Sequence, residues 1–308
     1  MAEKNPQFLG ISESKWHEYD SSSCVIQQLP YELTSSFKQG SSKGPNAIIH
    51  NSHYVEYFDT ELGVEPYKKC GIACTDPLDF SNKTNEKAMD YIQAETTKHI
   101  DQNKFLVSLG AEHTITYGVF KAFQQKWSDI GILQLDAHSD LRDQYENNRW
   151  SHASVMARIH EFKPEIFQVG IRAQCIEERQ LINSSPNIHT WYDHQIWDNE
   201  QWMDEVIRRL PKNLYITIDT DAFDPSICPS VGTPEPGGLQ WYPTLKFLRK
   251  VFKKCDVKGF DIVELNPTSI DDTTAYTMAQ LCYKLIGYKY TWLFLKLFIC
   301  KSNASLFR

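Results

Sequence analysis

Residues 130–140 read IGILQLDAHSD and residues 214–224 read LYITIDTDAFD, and these two stretches decide the fold. Each is an apolar run of strand length that ends in acidic residues spaced by two. Because side chains alternate faces along a strand, this spacing points the polar side chains of each run to one side. Two strand ends therefore gather five candidate metal ligands: Asp136, His138, Asp140, Asp219 and Asp221.

A sixth candidate ligand follows a third apolar run. His113 lies in LGAEHTIT, just past a strand predicted over Lys104–Leu109, so its ring could reach the same crevice as the acids. Alone, such a histidine is more often a hydrogen-bonded structural residue. A dense cluster of carboxylates repels itself unless a cation compensates, however, and the simplest compensation is a pair of divalent metal ions.

Apolar runs of strand length alternate with segments of helical periodicity along the chain. This rhythm predicts an α/β fold in which a parallel sheet carries helices on both faces. The predicted strands are Cys24–Leu29, Lys69–Cys74, Lys104–Leu109, Ile130–Leu135, Ile166–Val169, Ile188–Trp191, Asn213–Ile218 and Lys258–Val263. The predicted helices are Asn46–Phe58, Asn85–Gln102, Thr116–Trp127, His152–Phe162, Ile176–Ile182, Asn199–Arg209, Pro243–Lys254 and Asp271–Leu285.

Composition limits the class of protein. The chain has 308 residues, 41% of them hydrophobic, and no linker-like segment, which favours one globular domain over residues 1–308. A net charge of −7 without a basic stripe argues against nucleic acid as a partner. Eight cysteines without a metal-binding or secreted pattern, and an N-terminus without an apolar secretory region, indicate reduced thiols and a cytoplasmic protein.

The C-terminal segment is atypical. Residues 285–300 read LIGYKYTWLFLKLFIC, which two lysines interrupt and which is shorter than a membrane span requires. We expect a buried helix or strand there, with a membrane-surface segment as the alternative. No membrane partner is predicted.

Five motifs together resemble the ureohydrolase family, which includes arginase and agmatinase. They are LGAEHTIT, LDAHSD, SHAS, DTDAFDPSICPSVGTPEPGG and FDIVELNP, in the family's order over about residues 68–288, with an atypical tail at 289–308. The resemblance implies a three-layer α/β/α fold with a central parallel sheet. It also implies two manganese ions, with nickel, cobalt or zinc as alternatives, that hydrolyse a guanidino group to urea and an amine.

The resemblance assigns the metal ligands by position. One ion would be held by His113, Asp136, Asp140 and Asp219. The other would be held by His138, Asp136, Asp219 and Asp221, so that Asp136 and Asp219 bridge. Such a hard, oxygen-rich ligand set suits Mn²⁺ better than thiolate-loving metals.

Three further residues correspond to family positions around the substrate. Glu264, in FDIVE, would receive the guanidinium through charge-assisted hydrogen bonds, although a structural pairing with an arginine is an alternative role. His152, in WSHAS, would move protons and protonate the leaving amine, which an imidazole does well near neutral pH. Its alternative is an ordinary surface histidine. Thr233 would position substrate from the turn VGTPEPGG.

Substrate and assembly rest on fewer residues. The stretches DLRDQYENNRWSHAS and GIRAQCIEE fit the agmatinase-like branch better than arginase, so agmatine, cleaved to urea and putrescine, is the expected substrate. 4-Guanidinobutyrate, arginine and guanidine are alternatives, as are an inactive binding protein on this scaffold and a metal-dependent deacetylase. Asp143, Glu146, Glu177 and Glu178 are candidates to meet a distal ammonium, although such runs of charge are usually solvated surface. The family implies a homo-oligomer, trimeric or hexameric. One departure from many relatives is Ala111-Glu112, where they have Gly-Asp.

Overall fold

The computed structural model describes the backbone of residues 7–305 and the side chains of residues 7–291. Eight strands form one sheet, and every adjacent pair of strands is parallel. The strands are β1 (Cys24–Leu29), β2 (Ile72–Pro77), β3 (Phe105–Gly110), β4 (Gly131–Leu135), β5 (Ile166–Ile171), β6 (Ile188–Tyr192), β7 (Asn213–Asp219) and β8 (Asp256–Val263).

The order of strands across the sheet is β2-β1-β3-β8-β7-β4-β5-β6. The last strand of the chain, β8, therefore lies in the middle and joins β3 to β7. Because all strands are parallel, their carboxyl ends share one edge of the sheet, and ligands in such folds bind beyond that edge.

Helices cover both faces of the sheet. They are α1 (Gly44–Ser52), α2 (Tyr67–Cys70), α3 (Asn85–Asp101), α4 (Ile115–Lys126), α5 (Val155–His160), α6 (Ile176–Ser184), α7 (Asp193–Ile196), α8 (Gln201–Arg209), α9 (Trp241–Lys254) and α10 (Thr273–Ser305). One hydrophobic core joins the sheet to α3, α4 and α5, and the other joins it to α1, α8, α9 and α10. The predicted three-layer α/β/α architecture is thus confirmed.

The central strands are buried on both faces, which explains their continuous apolar sequences. In β3, Val107 packs into the core with α1 and α10, whereas Leu106 packs into the core with α3 and α4. Strands covered on both sides are expected to read as apolar runs rather than as an alternation of apolar and polar residues.

The main correction to the predicted elements concerns residues 69–74. A strand was expected over Lys69–Cys74, but Tyr67–Cys70 is a helical turn and β2 begins only at Ile72. Gly71 separates them with φ of 63°, a conformation that glycine adopts readily. A Cβ atom there would lie 2.8 Å from Oγ of Ser22, so this turn also needs a residue without a side chain.

Most remaining differences are at the ends of helices and strands, and the short helix α7 was not predicted. The helix expected over Asn46–Phe58 ends at Ser52, and the segment expected as one helix from His152 begins as a 3₁₀ turn over His152–Ser154 before α5. The C-terminal segment is helical, as part of α10, and its first residues, 285–288, are buried as expected, while its side chains beyond residue 291 lie outside the described residues. Within the described residues, no helix is both long and apolar enough to span a bilayer. The seven cysteines of that part of the chain are all free thiols, five of them buried, as expected.

Candidate metal centre

The four central strands bring the predicted ligands together at the carboxyl edge of the sheet. His113 follows β3, Glu264 follows β8, Asp219 ends β7, and Asp136 follows β4. These strands are neighbours in the sheet although their sequences are far apart. Residues separated by as many as 151 positions therefore meet, as shown by the hydrogen bond of 2.7 Å from the backbone N–H of His113 to Oε1 of Glu264.

Three carboxylates surround the ring of His113. Its Nδ1 lies 3.1 Å from Oδ2 of Asp136, 3.1 Å from Oδ2 of Asp140 and 3.3 Å from Oδ2 of Asp219. His113 is only 1% exposed, yet none of the three oxygens lies in line with an N–H at Nδ1 to form a hydrogen bond. A buried nitrogen and three oxygens that converge without bonding to one another have the geometry expected of ligands around a shared cation.

A second cluster is built around His138 and shares Asp136 with the first. Nδ1 of His138 lies 3.1 Å from Oδ2 of Asp221 and 3.7 Å from Oδ1 of Asp136. The donor atoms of Asp136, His138 and Asp221 all lie within 4.8 Å of one another. Two adjacent groups with one carboxylate in common fit a two-metal site. The structure brings Asp219 to the His113 cluster, 2.8 Å from the backbone N–H of Asp221.

A hydrogen-bond chain fixes the ring of His113. Asp261 is fully buried and accepts hydrogen bonds from Oγ1 of Thr116, the hydroxyl of Tyr215 and Oγ1 of Thr217. Because the single hydroxyl proton of Thr217 is given to Asp261, its oxygen can only accept from Nε2 of His113, which lies 2.8 Å away. This leaves Nδ1 of a neutral His113 with a free lone pair that faces the carboxylates, as a metal ligand requires.

Burial and neighbouring carboxylates raise the pKa values of Asp140 and Asp219, whereas the rings of His113 and His138 lower that of Asp136. Burial, followed by the charge of Asp136, raises the pKa of Asp140 to about 7. Burial also raises the pKa of Asp219 well above its usual value, and the charges of Asp221 and Asp136 add to the effect. A bound divalent cation would remove this penalty by favouring the ionised form of each acid. The donor set therefore fits divalent metal ions.

Glu264 adopts a strained backbone conformation beside this cluster. Its φ is 62°, an uncommon value for a residue with a long side chain, and Asp140 has φ of 52°. The backbone N–H of Glu264 donates to the carbonyl of Ala111, which ties the end of β8 to the end of β3. Burial, followed by the charge of Glu112, raises the pKa of Glu264, so a cationic group in contact would be favoured.

A cavity of about 440 Å³ opens above the two clusters. Seven of the nine residues predicted for the site line it, while Asp136 and Asp221 lie buried beneath. The lining residues are Ser36, His113, His138, Asp140, Arg142, Tyr145, His152, Ala153, Arg172, Ala173, Gln174, Glu178, Asp219, Thr233, Glu235 and Glu264.

His152 lies on the wall of this cavity, next to a segment that follows β1. Burial lowers the pKa of His152 to about 4. Its Nδ1 lies 3.1 Å from Oγ1 of Thr34, and the ring of Tyr145 packs edge-on against it. The imidazole is therefore neutral at ordinary pH, with its ring orientation fixed.

The turn that contains Thr233 contacts the second cluster directly. Oγ1 of Thr233 lies 3.4 Å from Oδ2 of Asp221, and Oε1 of Glu235 lies 3.9 Å from Nε2 of His138. Arg172 braces this region, because its guanidinium donates to the backbone carbonyls of Asp221 and Glu235. Arg172 thus contacts carbonyl oxygens rather than pairing with a site carboxylate.

Of the acids proposed to meet a distal ammonium, only Glu178 lies on the cavity wall. Asp143 is largely exposed and pairs with Arg158 at 2.6 Å. Its neighbours Arg142 and Tyr145 line the cavity instead, whereas Glu146 does not. Glu235 is the partly exposed acid on the wall, whereas Glu178 is buried and accepts from the backbone N–H groups of Leu141 and Cys175.

Sequence reasoning missed the Thr34 loop, residues 30–40. Its Ser36 lines the cavity and its Thr34 contacts His152. A signal was present, because the loop follows the carboxyl end of a predicted strand, where the loops of parallel sheets meet their ligands. The five motifs begin further along the chain and do not include this loop.

Comparison with known proteins agrees with this site. The arginase family profile matches residues 22–287. The chain is 38% identical to an N(1)-aminopropylagmatine ureohydrolase from Synechocystis sp., over 88% of this chain and 90% of that protein. It is 30% identical to an agmatinase from Pyrococcus horikoshii, over 85% of this chain and 90% of that protein.

A solved structure shares the whole architecture. The agmatine ureohydrolase of Thermoplasma volcanium superposes with a TM-score of 0.81 at 25% sequence identity, covering 94% of this chain and 96% of that one. The family match begins at residue 22 and so includes β1 and the Thr34 loop. With the sheet order, the paired His and Asp clusters and these matches in agreement, the chain belongs to the arginase family of ureohydrolases.

Proposed function

We propose that this protein uses two divalent metal ions to hydrolyse the guanidino group of an agmatine-type substrate, releasing urea and an amine. The observation that carries the proposal is the pair of clusters around His113 and His138, which share Asp136 beneath an open cavity. An inactive scaffold would have no need to keep two complete sets of metal-binding groups. A deacetylase would be expected to have a mononuclear site.

The ion beside His113 would be held by His113, Asp136, Asp140 and Asp219. The ion beside His138 would be held by His138, Asp136, Asp219 and Asp221. When bound, the two ions supply the positive charge that ionises an attacking water near neutral pH. We propose manganese as the native metal, with nickel, cobalt or zinc as alternatives, because carboxylate oxygens dominate the ligand set.

Glu264 would bind the guanidinium that all candidate substrates share. Its Oε1 already accepts from the backbone of His113, and the raised pKa of its carboxyl means that a cationic partner would stabilise the ionised form. Such pairing would orient the guanidinium carbon over the cluster. Thr233 would support this geometry through its contact with Asp221.

His152 would carry protons between solvent and the leaving amine. A neutral imidazole on the cavity wall can accept a proton and donate it again, and the amine must gain one proton as the C–N bond breaks. The residue is too far from the ligand clusters to form a hydrogen bond with any of their carboxylates in the described structure, which suits a shuttle rather than a ligand.

Agmatine and N(1)-aminopropylagmatine are the two candidate substrates. Agmatine is the expectation from the loop sequences, and it would yield putrescine in polyamine biosynthesis. The aminopropyl derivative is favoured by the name of the Synechocystis relative and contains a second amine further from the guanidinium. Either is a cation, which Glu235 on the cavity wall would favour over the anionic end of 4-guanidinobutyrate. We further propose a single-domain, cytoplasmic homo-oligomer, trimeric or hexameric.

A substrate panel tests the proposal. Protein reconstituted with Mn²⁺, and separately with Ni²⁺, should release urea from agmatine or N(1)-aminopropylagmatine with a higher kcat/KM than from 4-guanidinobutyrate, arginine or guanidine. Metal analysis should find two ions per chain in the active form. Faster hydrolysis of an anionic or unsubstituted guanidine would overturn the substrate class, and no urea release from any member would overturn the ureohydrolase activity.

A further inference from the structure

The hydroxyl of Thr34 connects a buried carboxylate to the ring of His152. Oγ1 of Thr34 lies 3.1 Å from Oε2 of Glu112, 3.1 Å from Nδ1 of His152 and 3.1 Å from the backbone nitrogen of His152. Glu112 is fully buried. It directly precedes the proposed metal ligand His113, in the Ala111-Glu112 pair that replaces the Gly-Asp of many relatives. Its longer side chain reaches from the end of β3 to the Thr34 loop.

The positions of the hydrogen atoms follow from counting donors and acceptors. Oε2 of Glu112 also accepts from the backbone N–H groups of Leu33, at 3.1 Å, and Thr34, at 2.7 Å. An oxygen that faces two N–H groups can only accept, so the one hydroxyl proton of Thr34 is directed to Glu112. The oxygen of Thr34 is then left to accept from both nitrogens of His152, its backbone N–H and Nδ1–H.

The second ring nitrogen of His152 is left for the cavity. Within the described residues 7–291, no atom forms a hydrogen bond with Nε2 of His152, and the only other neighbour of Nδ1 is Oγ of Ser151 at 3.5 Å. In a neutral imidazole, a proton on Nδ1 means that Nε2 has the lone pair. The basic nitrogen is therefore the one without a protein partner.

We propose that Glu112 and Thr34 are positioning residues that hold His152 in its Nδ1–H tautomer, so that Nε2 is the nitrogen that accepts and returns protons in the cavity. This inference rests on the proposed function for its effect on turnover, but the tautomer itself is a property of the protein alone. Neither residue lines the cavity, so both act through His152 rather than on substrate.

Glu32 provides a matched control for a general loosening of the Thr34 loop. Glu32 closes the same loop by accepting from the backbone N–H groups of Gly40, at 2.6 Å, and Ser42, at 3.0 Å, without any contact to His152. Glu32→Ala should therefore disturb the cavity wall at Ser36 while leaving the tautomer of His152 unchanged. Thr34→Ser, which keeps the hydroxyl, is the conservative variant.

A kinetic cycle tests whether Thr34 acts through His152. Thr34→Val should lower kcat by roughly 3- to 10-fold, the loss expected from one hydrogen bond, with metal content and KM close to those of the unmodified protein. In a His152→Ala background the same change should alter kcat by less than about 2-fold, because the group it positions is gone. Thr34→Ser should restore most of the loss. An equal loss from Thr34→Val in both backgrounds would overturn the proposal.

Nitrogen-15 NMR of the imidazole rings reads the tautomer directly, with the His152 signals identified by their absence in His152→Ala. The unmodified protein loaded with diamagnetic Zn²⁺, which leaves the ring signals unbroadened, should show Nδ1–H. Glu112→Met removes the acceptor, frees the Thr34 hydroxyl to donate to Nδ1, and should shift His152 towards Nε2–H, whereas Glu32→Ala should not. An Nε2–H tautomer in the unmodified protein, or no change in Glu112→Met, would refute the inference even if every guanidino substrate proved inactive. Absence of urea release with the expected tautomer shifts would refute the proposed function alone.

Discussion

Single residues that lie behind the proposed metal ligands control how those ligands are oriented. The carboxylate of Asp261 accepts three hydroxyl hydrogen bonds, and only one of them, from Thr217, continues to His113. Substituting Asp261 should therefore change which nitrogen of the His113 ring carries the proton, although the two side chains are not in contact.

Asp261→Asn should lower metal affinity about 10- to 100-fold, the range typical of partners that orient a ligand. The amide N–H₂ can donate to Thr217, which would turn the Thr217 hydroxyl towards Nε2 of His113 and place the ring proton on Nδ1. Tyr215→Phe is the control, because it removes another donor to Asp261 without touching His113. Competition with a fluorescent chelator measures the affinity; equal affinities for the Asn and Phe variants would contradict the orientation of His113 through Thr217.

Glu264→Gln should impair every substrate by a similar factor, because all of them share the guanidinium. Loss of a charge-assisted pair predicts a roughly 10- to 100-fold fall in kcat/KM. The amide oxygen can still accept from the backbone of His113, so metal content should be unchanged. Steady-state assays on agmatine, N(1)-aminopropylagmatine and 4-guanidinobutyrate test this. A loss confined to one substrate would mean that Glu264 contacts the part of that substrate beyond the guanidinium.

The site residues that sequence could predict are those in short motifs with obvious chemistry. Asp136, His138 and Asp140 are separated by two positions each, a spacing that predicts a shared side, although β4 itself ends at Leu135. The contact between Glu112 and Thr34 joins residues 78 positions apart and depends on side-chain reach, which no local pattern encodes. The hydrogen bonds that orient His152 could therefore not be predicted from the sequence.

Helices and strands were predicted well where the pattern of apolar residues indicated only one of the two. The apolar runs of β1, β3, β4 and β7 are buried on both faces and stand within about one residue of the expected limits. The predicted start of β2 was wrong, because a turn at Gly71 lies within the Lys69–Cys74 segment that was predicted as strand. Backbone conformation at a single residue can thus override side-chain composition.

Gly118 marks the close crossing of α3 and α4, and its replacement should destabilise the protein. An added Cβ would lie 2.7 Å from the carbonyl oxygen of Met89 and 2.8 Å from Cβ of Ile92. Alanine gains about 1 kcal/mol of helix propensity over glycine, but overpacking against backbone costs about 1–3 kcal/mol. We expect Gly118→Ala to lose stability in chemical denaturation.

Gly287→Ala is the matched control in α10. Its nearest contact, at 2.6 Å, is Cδ1 of Leu62, the mobile end of a side chain that can move aside. Its loss of stability should therefore be smaller than that of Gly118→Ala, and the helix propensity of alanine should offset part of it. The reverse ranking would show that the packing of α3 against α4 is more adaptable than its geometry indicates.

At the scale of the whole molecule, the fold class followed from alternating strands and helices, but the strand order did not. Hydrophobic periodicity reports which residues are buried, not which strand is the neighbour of which. The placement of β8 between β3 and β7 brings Glu264 next to His113, and this placement could not be predicted from the sequence.

Metal removal should destabilise the whole fold, because the buried carboxylates of Asp136, Asp140 and Asp219 repel one another without a cation. Binding to the folded state alone stabilises by about 2.7 kcal/mol when free metal is at 100 times Kd. Differential scanning calorimetry should therefore show a lower Tm after chelation, by several degrees, with recovery on adding Mn²⁺. An unchanged Tm would mean that the clusters hold no metal in solution.

The central position of β8 has a consequence for how the protein is made. On a ribosome the chain appears from its N-terminus, so the half-sheets β2-β1-β3 and β7-β4-β5-β6 exist before the strand that joins them. Each half then exposes one unpaired inner edge, and such edges are prone to pair with other chains. The two halves can close only after β8 has been made, so a premature stop between Asp219 and Asp256 yields two open half-sheets rather than a smaller enzyme.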